Sequence, residues 1–274
     1  MGSEIHIESF TVTCLMVTAA LCVLAVLAAW YTMRGRIQLS QIILGIFSYI
    51  VVMLLENVFD LLALNLGLTQ SGLPHGLYIV FSVVIARELI RFVAMKYGVM
   101  GSFDKTDAAI GFAIGFGGVY LCVCGAYYFN CYTIASEYLK TGMDALMENA
   151  GADSEEALSL LQIIAGQNAW EFITTGINRV FFLVREIALS VLLWYAMRED
   201  GKKMFFLWIP LMHFAAMLPD GLYQGEVLTN PYVRDGATCV ITAGIAFLAA
   251  RMYNAREDQV SHFKMERLRA RRRK

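Results

Sequence analysis

The sequence predicts an all-α polytopic membrane protein with about seven transmembrane helices and a small helical cap on the outer face. Three observations predict it. Hydrophobic residues make up 58% of the 274 positions and charged residues only 16%, against about a quarter charged in soluble domains. The apolar residues gather into stretches of about 20, the length that crosses a hydrocarbon core. Basic residues concentrate in alternate connections, the pattern that membrane insertion leaves behind.

The spans read as residues 10–32, 41–66, 77–97, 107–130, 170–197, 204–221 and 236–253. The first follows an acidic start, Met1-Gly2-Ser3-Glu4-Ile5-His6, without the basic n-region of a cleaved signal, so it reads as a retained anchor. His6 also stands where myristoylation needs Ser or Thr. The fourth span carries Gly111, Gly115 and Gly118 on one stripe with Gly117 beside them, a spacing that lets membrane helices approach closely. Pro210 and Pro219 interrupt the sixth span, where Pro210 reads as a kink. The connection 131–169 is the one long segment. There Asp153, with Glu156 three residues later, resembles a capping box opening a helix through Leu158, Leu161 and Ile164, and Tyr132 to Glu148 reads as a second amphipathic helix. Connections this long are often lids or binding segments, so 131–169 is read as an external part of a single membrane domain, 1–274.

Arg34 and Arg36 follow the first span, Lys96 and Lys105 surround the third connection, Arg198, Lys202 and Lys203 follow the fifth span, and a basic tail, 254–274, follows the last. The alternate connections hold Lys140 and Arg234 among acids that include Glu137, Asp144, Glu148, Asp153, Glu226 and Asp235. This bias predicts a plasma-membrane protein with its N-terminus outside and its C-terminus cytoplasmic. The tail suits anionic lipid, at about 1 kcal/mol per basic residue near such a surface, or serves as a topology signal alone; nucleic acid is not an expected partner. The cysteines Cys14, Cys22, Cys122, Cys124, Cys131 and Cys239 lie in or at the ends of spans without zinc-ribbon spacing and read as packing residues. There is no P-loop, no GxGxxG after a strand and no Gly-x-Ser-x-Gly elbow.

Against this apolar background stand Glu56, Asp60, Arg87, Glu88, Arg91, Arg179, Arg185 and Glu186. Each costs about 2.5–3.5 kcal/mol at the centre of a membrane helix on insertion scales, so together they must face one another or a wet cavity. Depth along each span brings Glu56, Arg87, Glu88, Tyr120, Arg185, Glu186 and His213 to one level. Helical spacing puts Arg87 on a face with Arg91 and Glu56 on a face with Asp60, sets Arg179 two turns from Glu186, and turns Arg185 about 100° away from Glu186. Four arginines oppose four carboxylates. The layer reads either as a salt-bridge network that locks helices together or as a polar cavity that binds or processes something, with arginines suited to a carboxylate or phosphate. Glu88, Glu186 and His213, on three helices, form a ligand set for a catalytic zinc, although Arg87 and Arg185 beside them would repel a dication. No cofactor is predicted unless that set is active.

At these residues the chain resembles the YhfC family of bacterial intramembrane metalloproteases, distantly similar to PrsW and CAAX-type membrane proteases. The family's Glu-Glu-x-x-Arg motif is met by Arg87-Glu88-Leu89-Ile90-Arg91, with Arg87 in place of the first Glu. Its Gly-His-Gly-Gly-x-Glu motif is met by Gly115-Phe116-Gly117-Gly118-Val119-Tyr120, which lacks both the His and the Glu. Its Glu-Arg, followed by a His before an Ile-x-Leu-Ser stretch, corresponds to Asn178-Arg179 and Glu186-Ile187-Ala188-Leu189-Ser190. Its His-x-x-x-Asp corresponds to His213 followed by Met217. The resemblance implies the family's fold with the metal site lost: a pseudoenzyme that binds or scaffolds a membrane protein, a peptide or a lipid. Two alternatives stand beside it. One is a working zinc protease using Glu88, Glu186 and His213. The other is a small-molecule or ion transporter with Glu56 and Asp60 as a proton or cation site and the cap as a gate.

Overall fold

The computed structural model describes residues 5–68, 71–99, 106–198 and 204–272, the stretch 256–272 as backbone alone. Seven long helices and two short ones make up the described fold, with no strand among the described residues. They are α1 (Ser9–Met33), α2 (Leu39–Asn65), α3 (Leu73–Ala94, continued by a π turn Met95–Val99), α4 (Asp107–Thr141), α5 (Met143–Ala150), α6 (Ser154–Ala165), α7 (Ala169–Arg198), α8 (Phe205–Gln224) and α9 (Pro231–Arg272). By length and composition α1, α2, α4, α7, α8 and the first part of α9 are apolar enough to cross a membrane. The remaining long helix, α3, carries Arg87, Glu88 and Arg91. The expected all-α polytopic architecture is the observed one.

Three boundaries differ from the sequence reading. α4 runs on to Thr141 and absorbs the first half of the expected second amphipathic helix; the break falls at Gly142, whose φ of 82° favours glycine. Asp153 does precede α6, but its side chain makes no capping hydrogen bond, so the expected capping box does not form. The buried face Ala157, Leu160, Leu161 and Ile164 holds α6 down instead. α9 starts at Pro231, whose missing N–H costs nothing in a first turn, and this takes Arg234 and Asp235 out of the loop and into the helix. Met1–Glu4, Lys105, Lys202, Lys203 and the side chains of the basic tail lie outside the described residues.

Within their most apolar windows α4 and α7 are 67% and 72% buried, whereas the other membrane-crossing candidates reach 33% at most. These two are therefore the axis of the bundle, with α1 and α2 packed on α4, α9 on α7, and α3 on α8. Glycines set the closest approaches. A Cβ on Gly115 would meet the Ile42 carbonyl oxygen at 2.0 Å, and one on Gly45 the Phe112 carbonyl oxygen at 2.1 Å, so α2 and α4 touch backbone to backbone. Gly76 and Gly221 do the same for α3 and α8, at 2.3 Å from the Gly76 side. The glycine row on α4 serves several neighbours: Gly111 faces Gln41 of α2, Gly118 faces Val26 of α1, and Gly117 faces Leu183 and Glu186 of α7. Pro210 and Pro219 both sit inside α8 without ending it.

At one end α5 and α6 close over the bundle. Leu146, Leu161 and Ile164 pack with Leu15, Cys131, Ala135 and Phe172, and the Tyr138 hydroxyl donates to the Ile5 carbonyl. This is the expected helical cap. At the other end a hydrophobic core gathers around Phe112, Leu192 and Trp194. All six cysteines are free thiols.

Candidate functional site: a buried arginine and carboxylate layer

Between the cap and the apolar end, α3, α4, α7 and α8 enclose a polar centre with Arg91 in its middle. Arg91 is 0% exposed. One terminal nitrogen of its guanidinium donates to Glu88 Oε1, three residues back on α3, and the other to Glu186 Oε2 on α7. The Phe116 ring centroid of α4 lies 5.3 Å from the guanidinium carbon. His213 of α8, also 0% exposed, completes the group with Nδ1 2.5 Å from Glu88 Oε1. His213 Nε2 lies 3.9 Å from Glu186 Oε1, and neither atom has a hydrogen-bonding partner among the described residues.

The other arginines take separate partners. Arg87 donates from Nε to Glu56 Oε1 of α2 at 3.0 Å, and its guanidinium lies 5.1 to 5.8 Å from the ring centroids of Phe182, Tyr120 and Tyr49. Arg179 donates to the Tyr120 hydroxyl. Arg185 sits 5.0 Å from the Phe182 ring centroid, with Nε 3.8 Å from Glu186 Oε1. Rings over guanidinium faces replace part of the lost hydration.

Most of the eight charges singled out from sequence thus meet inside the protein, but not as one network. Asp60 is a correction: it is exposed on the surface of α2 and makes no ion pair among the described residues. The i,i+4 relation to Glu56 holds geometrically, yet Glu56 lies at the edge of the buried face and one more turn rotates Asp60 off it. Arg179 shares the stripe of Glu186 but binds a tyrosine rather than a carboxylate. Met217 is buried against Val80 and Val84 of α3, in an apolar cluster.

A second polar cluster sits one level nearer the cap. Arg234 donates from Nε to Asp235 Oδ1 at 2.8 Å and lies 3.7 Å from Asp220 Oδ1; Asn178 Nδ2 donates to the same Asp235 oxygen at 2.8 Å. Sequence reasoning assigns Arg234 and Asp235 to a loop and passes over Asp220. The legible signal is Pro231, which marks a helix start ahead of both.

Enclosed charge on at least four helices, beneath a helical cap, defines a polytopic membrane protein whose polar centre belongs to the protein interior and not to its lipid-facing surface. The model of the YhfC intramembrane metalloprotease family matches residues 18–238, most of the chain and every residue of the layer. The chain belongs to that family. No curated protein and no solved structure matches it.

A metalloprotease family implies a catalytic metal, and the residues present do not fit one as they stand. Among the described residues no three His, Cys, Asp or Glu side chains are grouped to hold an ion. Glu88 and Glu186 are joined by the Arg91 guanidinium, and the positions where the resemblance places a histidine and an acid hold Phe116, which faces Arg91, and Tyr120, which accepts from Arg179. A dication beside three arginines would also meet strong repulsion.

Proposed function

We propose that this protein is a pseudoprotease: a multi-pass member of the family that has exchanged its metal site for an arginine and carboxylate layer and acts as a binding or scaffolding partner. The observation that carries this reading is Arg91 bridging Glu88 and Glu186 with no exposed surface. A guanidinium already supplies the positive charge that two carboxylates would offer a cation. The recognised partner is a membrane helix, a peptide or a lipid, and the basic tail engages anionic lipid on the cytoplasmic side. In this reading the cap faces outward from a bacterial plasma membrane.

Metal analysis of detergent-purified protein tests the proposal directly. Substoichiometric zinc, together with no cleavage of membrane substrates, is the expected result. Stoichiometric zinc with cleavage that stops in Glu88→Gln would falsify it.

One observation favours a working enzyme instead. His213 Nε2 and Glu186 Oε1, both buried and both without a hydrogen-bonding protein partner, face each other across 3.9 Å, and Glu88 orients the imidazole from its other side as a carboxylate behind a metal-bound histidine does. Under that reading His213→Ala abolishes both metal content and turnover.

A further inference from the structure

Three neighbouring helices each carry two polar residues seven positions apart: Asn178 and Arg185 on α7, Asp220 and His213 on α8, Asp235 and Thr242 on α9. Seven residues make two turns, so the members of each pair share a stripe, about 10 Å apart along the helix. The first members meet at the level of the second cluster, joined through Asp235 and Arg234. The 57-residue offset between Asn178 and Asp235, carried two turns further, sets Thr242 level with Arg185. α9 adds Thr238 between the two levels, on the stripe of Asp235 and Thr242.

The atoms along this line lack hydrogen-bonding protein partners. Asp235 Oδ2, Thr238 Oγ1, Thr242 Oγ1, Arg185 Nε, His213 Nε2 and Glu186 Oε1 are all buried and form no hydrogen bond among the described residues. For the threonines this differs from four others in the described helices. Thr13, Thr32, Thr133 and Thr141 each donate to the carbonyl four residues back at 3.0 to 3.1 Å, the usual resort of a helical hydroxyl in an apolar setting. Thr238 and Thr242, at 1% and 0% exposure, do not. A row of buried polar atoms without partners costs about 1–3 kcal/mol each unless water satisfies them.

The stripe on α9 also changes character along its length. Beyond Thr242 it continues with Ile245 and Ala249, both inside the apolar core with Leu192 and Trp194. At the cap-side end of the line the Arg234 and Asp220 side chains keep 16% and 21% exposure.

We propose that α7, α8 and α9 enclose a narrow shaft of bound water that enters beside Asp220 and Asp235, passes Thr238 and Thr242, and ends at His213 and Glu186, closed on the far side by Ile245 and Ala249. Its ligand is water, and with water the protons that a hydrogen-bonded file relays. The shaft goes beyond the proposed function and stands whether or not the protein cleaves anything, because its α9 atoms take no part in the Arg91 bridge and only its inner end, at His213 and Glu186, touches that group.

Cysteine accessibility in the full-length protein in nanodiscs tests it. Thr238→Cys, Thr242→Cys and Ala249→Cys are exposed separately to a small aminoethyl methanethiosulfonate, and adducts are located by peptide mass spectrometry. Only a hydrated thiol ionises to the reactive thiolate, so Thr238→Cys and Thr242→Cys should react roughly tenfold or more faster than Ala249→Cys on the same stripe. Equal rates at all three positions overturn the shaft. Should a cysteine variant fail to fold, radiolytic hydroxyl labelling of the unaltered protein marks side chains beside bound water. His213, at the inner end of the shaft, should then be labelled well above the equally enclosed Phe112, and equal labelling overturns the proposal.

Discussion

Arg91 of α3 and Glu186 of α7 form an ion pair in which neither side chain has any exposed surface, and the same guanidinium holds Glu88 on its own helix. Removing it takes the shared donor from two enclosed carboxylates and leaves Arg185, 3.8 Å from Glu186, as the nearest remaining guanidinium. Breaking a buried pair typically costs about 3–5 kcal/mol, so Arg91→Leu should lower the thermal midpoint in detergent sharply or prevent folding. Arg91→Lys should lose much of the same stability, because one ammonium cannot span both carboxylates as a planar fork does. A Lys variant as stable as the original protein contradicts the bridge.

Glu56 and Asp60 separate a paired acid from an exposed one. Glu56→Gln removes the charge opposite buried Arg87 and should destabilise by about 1.5–3 kcal/mol, the usual value of a hydrogen bond to a charged group. Asp60→Asn should stay within about 0.5 kcal/mol of the original protein. Comparable losses in chemical denaturation would mean that Asp60 takes part in the layer after all.

Tyr120 acts on Arg179 in two ways, as an acceptor and as a ring 5.2 Å from its guanidinium carbon. Tyr120→Phe keeps the ring and should cost about 1.5–3 kcal/mol through the lost acceptor. Tyr120→Leu removes both and should cost more. The order of the two melting temperatures checks the assignment.

Gly115 admits no side chain. Its Cβ would strike the Ile42 carbonyl at 2.0 Å, and backbone yields less readily than a flexible side-chain end. Gly115→Ala should therefore separate α2 from α4 and cost at least about 1–3 kcal/mol. Gly244→Ala, which meets nothing within 4 Å, should be neutral or stabilise α9 by up to about 1 kcal/mol.

Chelation should leave the thermal midpoint unchanged. A ligand at 100 times its dissociation constant stabilises by about 2.7 kcal/mol, so a tightly held metal would reveal itself as a drop in the midpoint after treatment with a chelator. Such a drop, reversed by zinc, favours the working-enzyme reading.

Much of the fold is legible in the sequence, since length and hydropathy mark six of the seven long helices and the expense of intramembrane charge picks out Arg87, Glu88, Arg91, Arg185 and Glu186 as residues that must meet. Partner choice is less legible. Spacing along one helix shows which residues share a face but not how far that face is rotated toward a neighbour. Asp60 turns outward one turn past Glu56, and Arg179 finds Tyr120 instead of an acid. Asp220, Arg234 and Asp235 escape notice because charges near a span end resemble loop charges until the start of α9 at Pro231 is known.

Composition, span length and the cost of unpaired charge suffice to give a polytopic helical membrane protein with a polar interior, because these depend on each segment's exchange with lipid and water. Arg91 lying between Glu88 and Glu186, and the enclosed oxygens of Asp235, Thr238 and Thr242 on one stripe of α9, were decided by tertiary structure alone. Helix rotation and register are set by close backbone contacts such as Gly45 with Phe112 and Gly76 with Gly221, and those contacts exist only once the helices are packed.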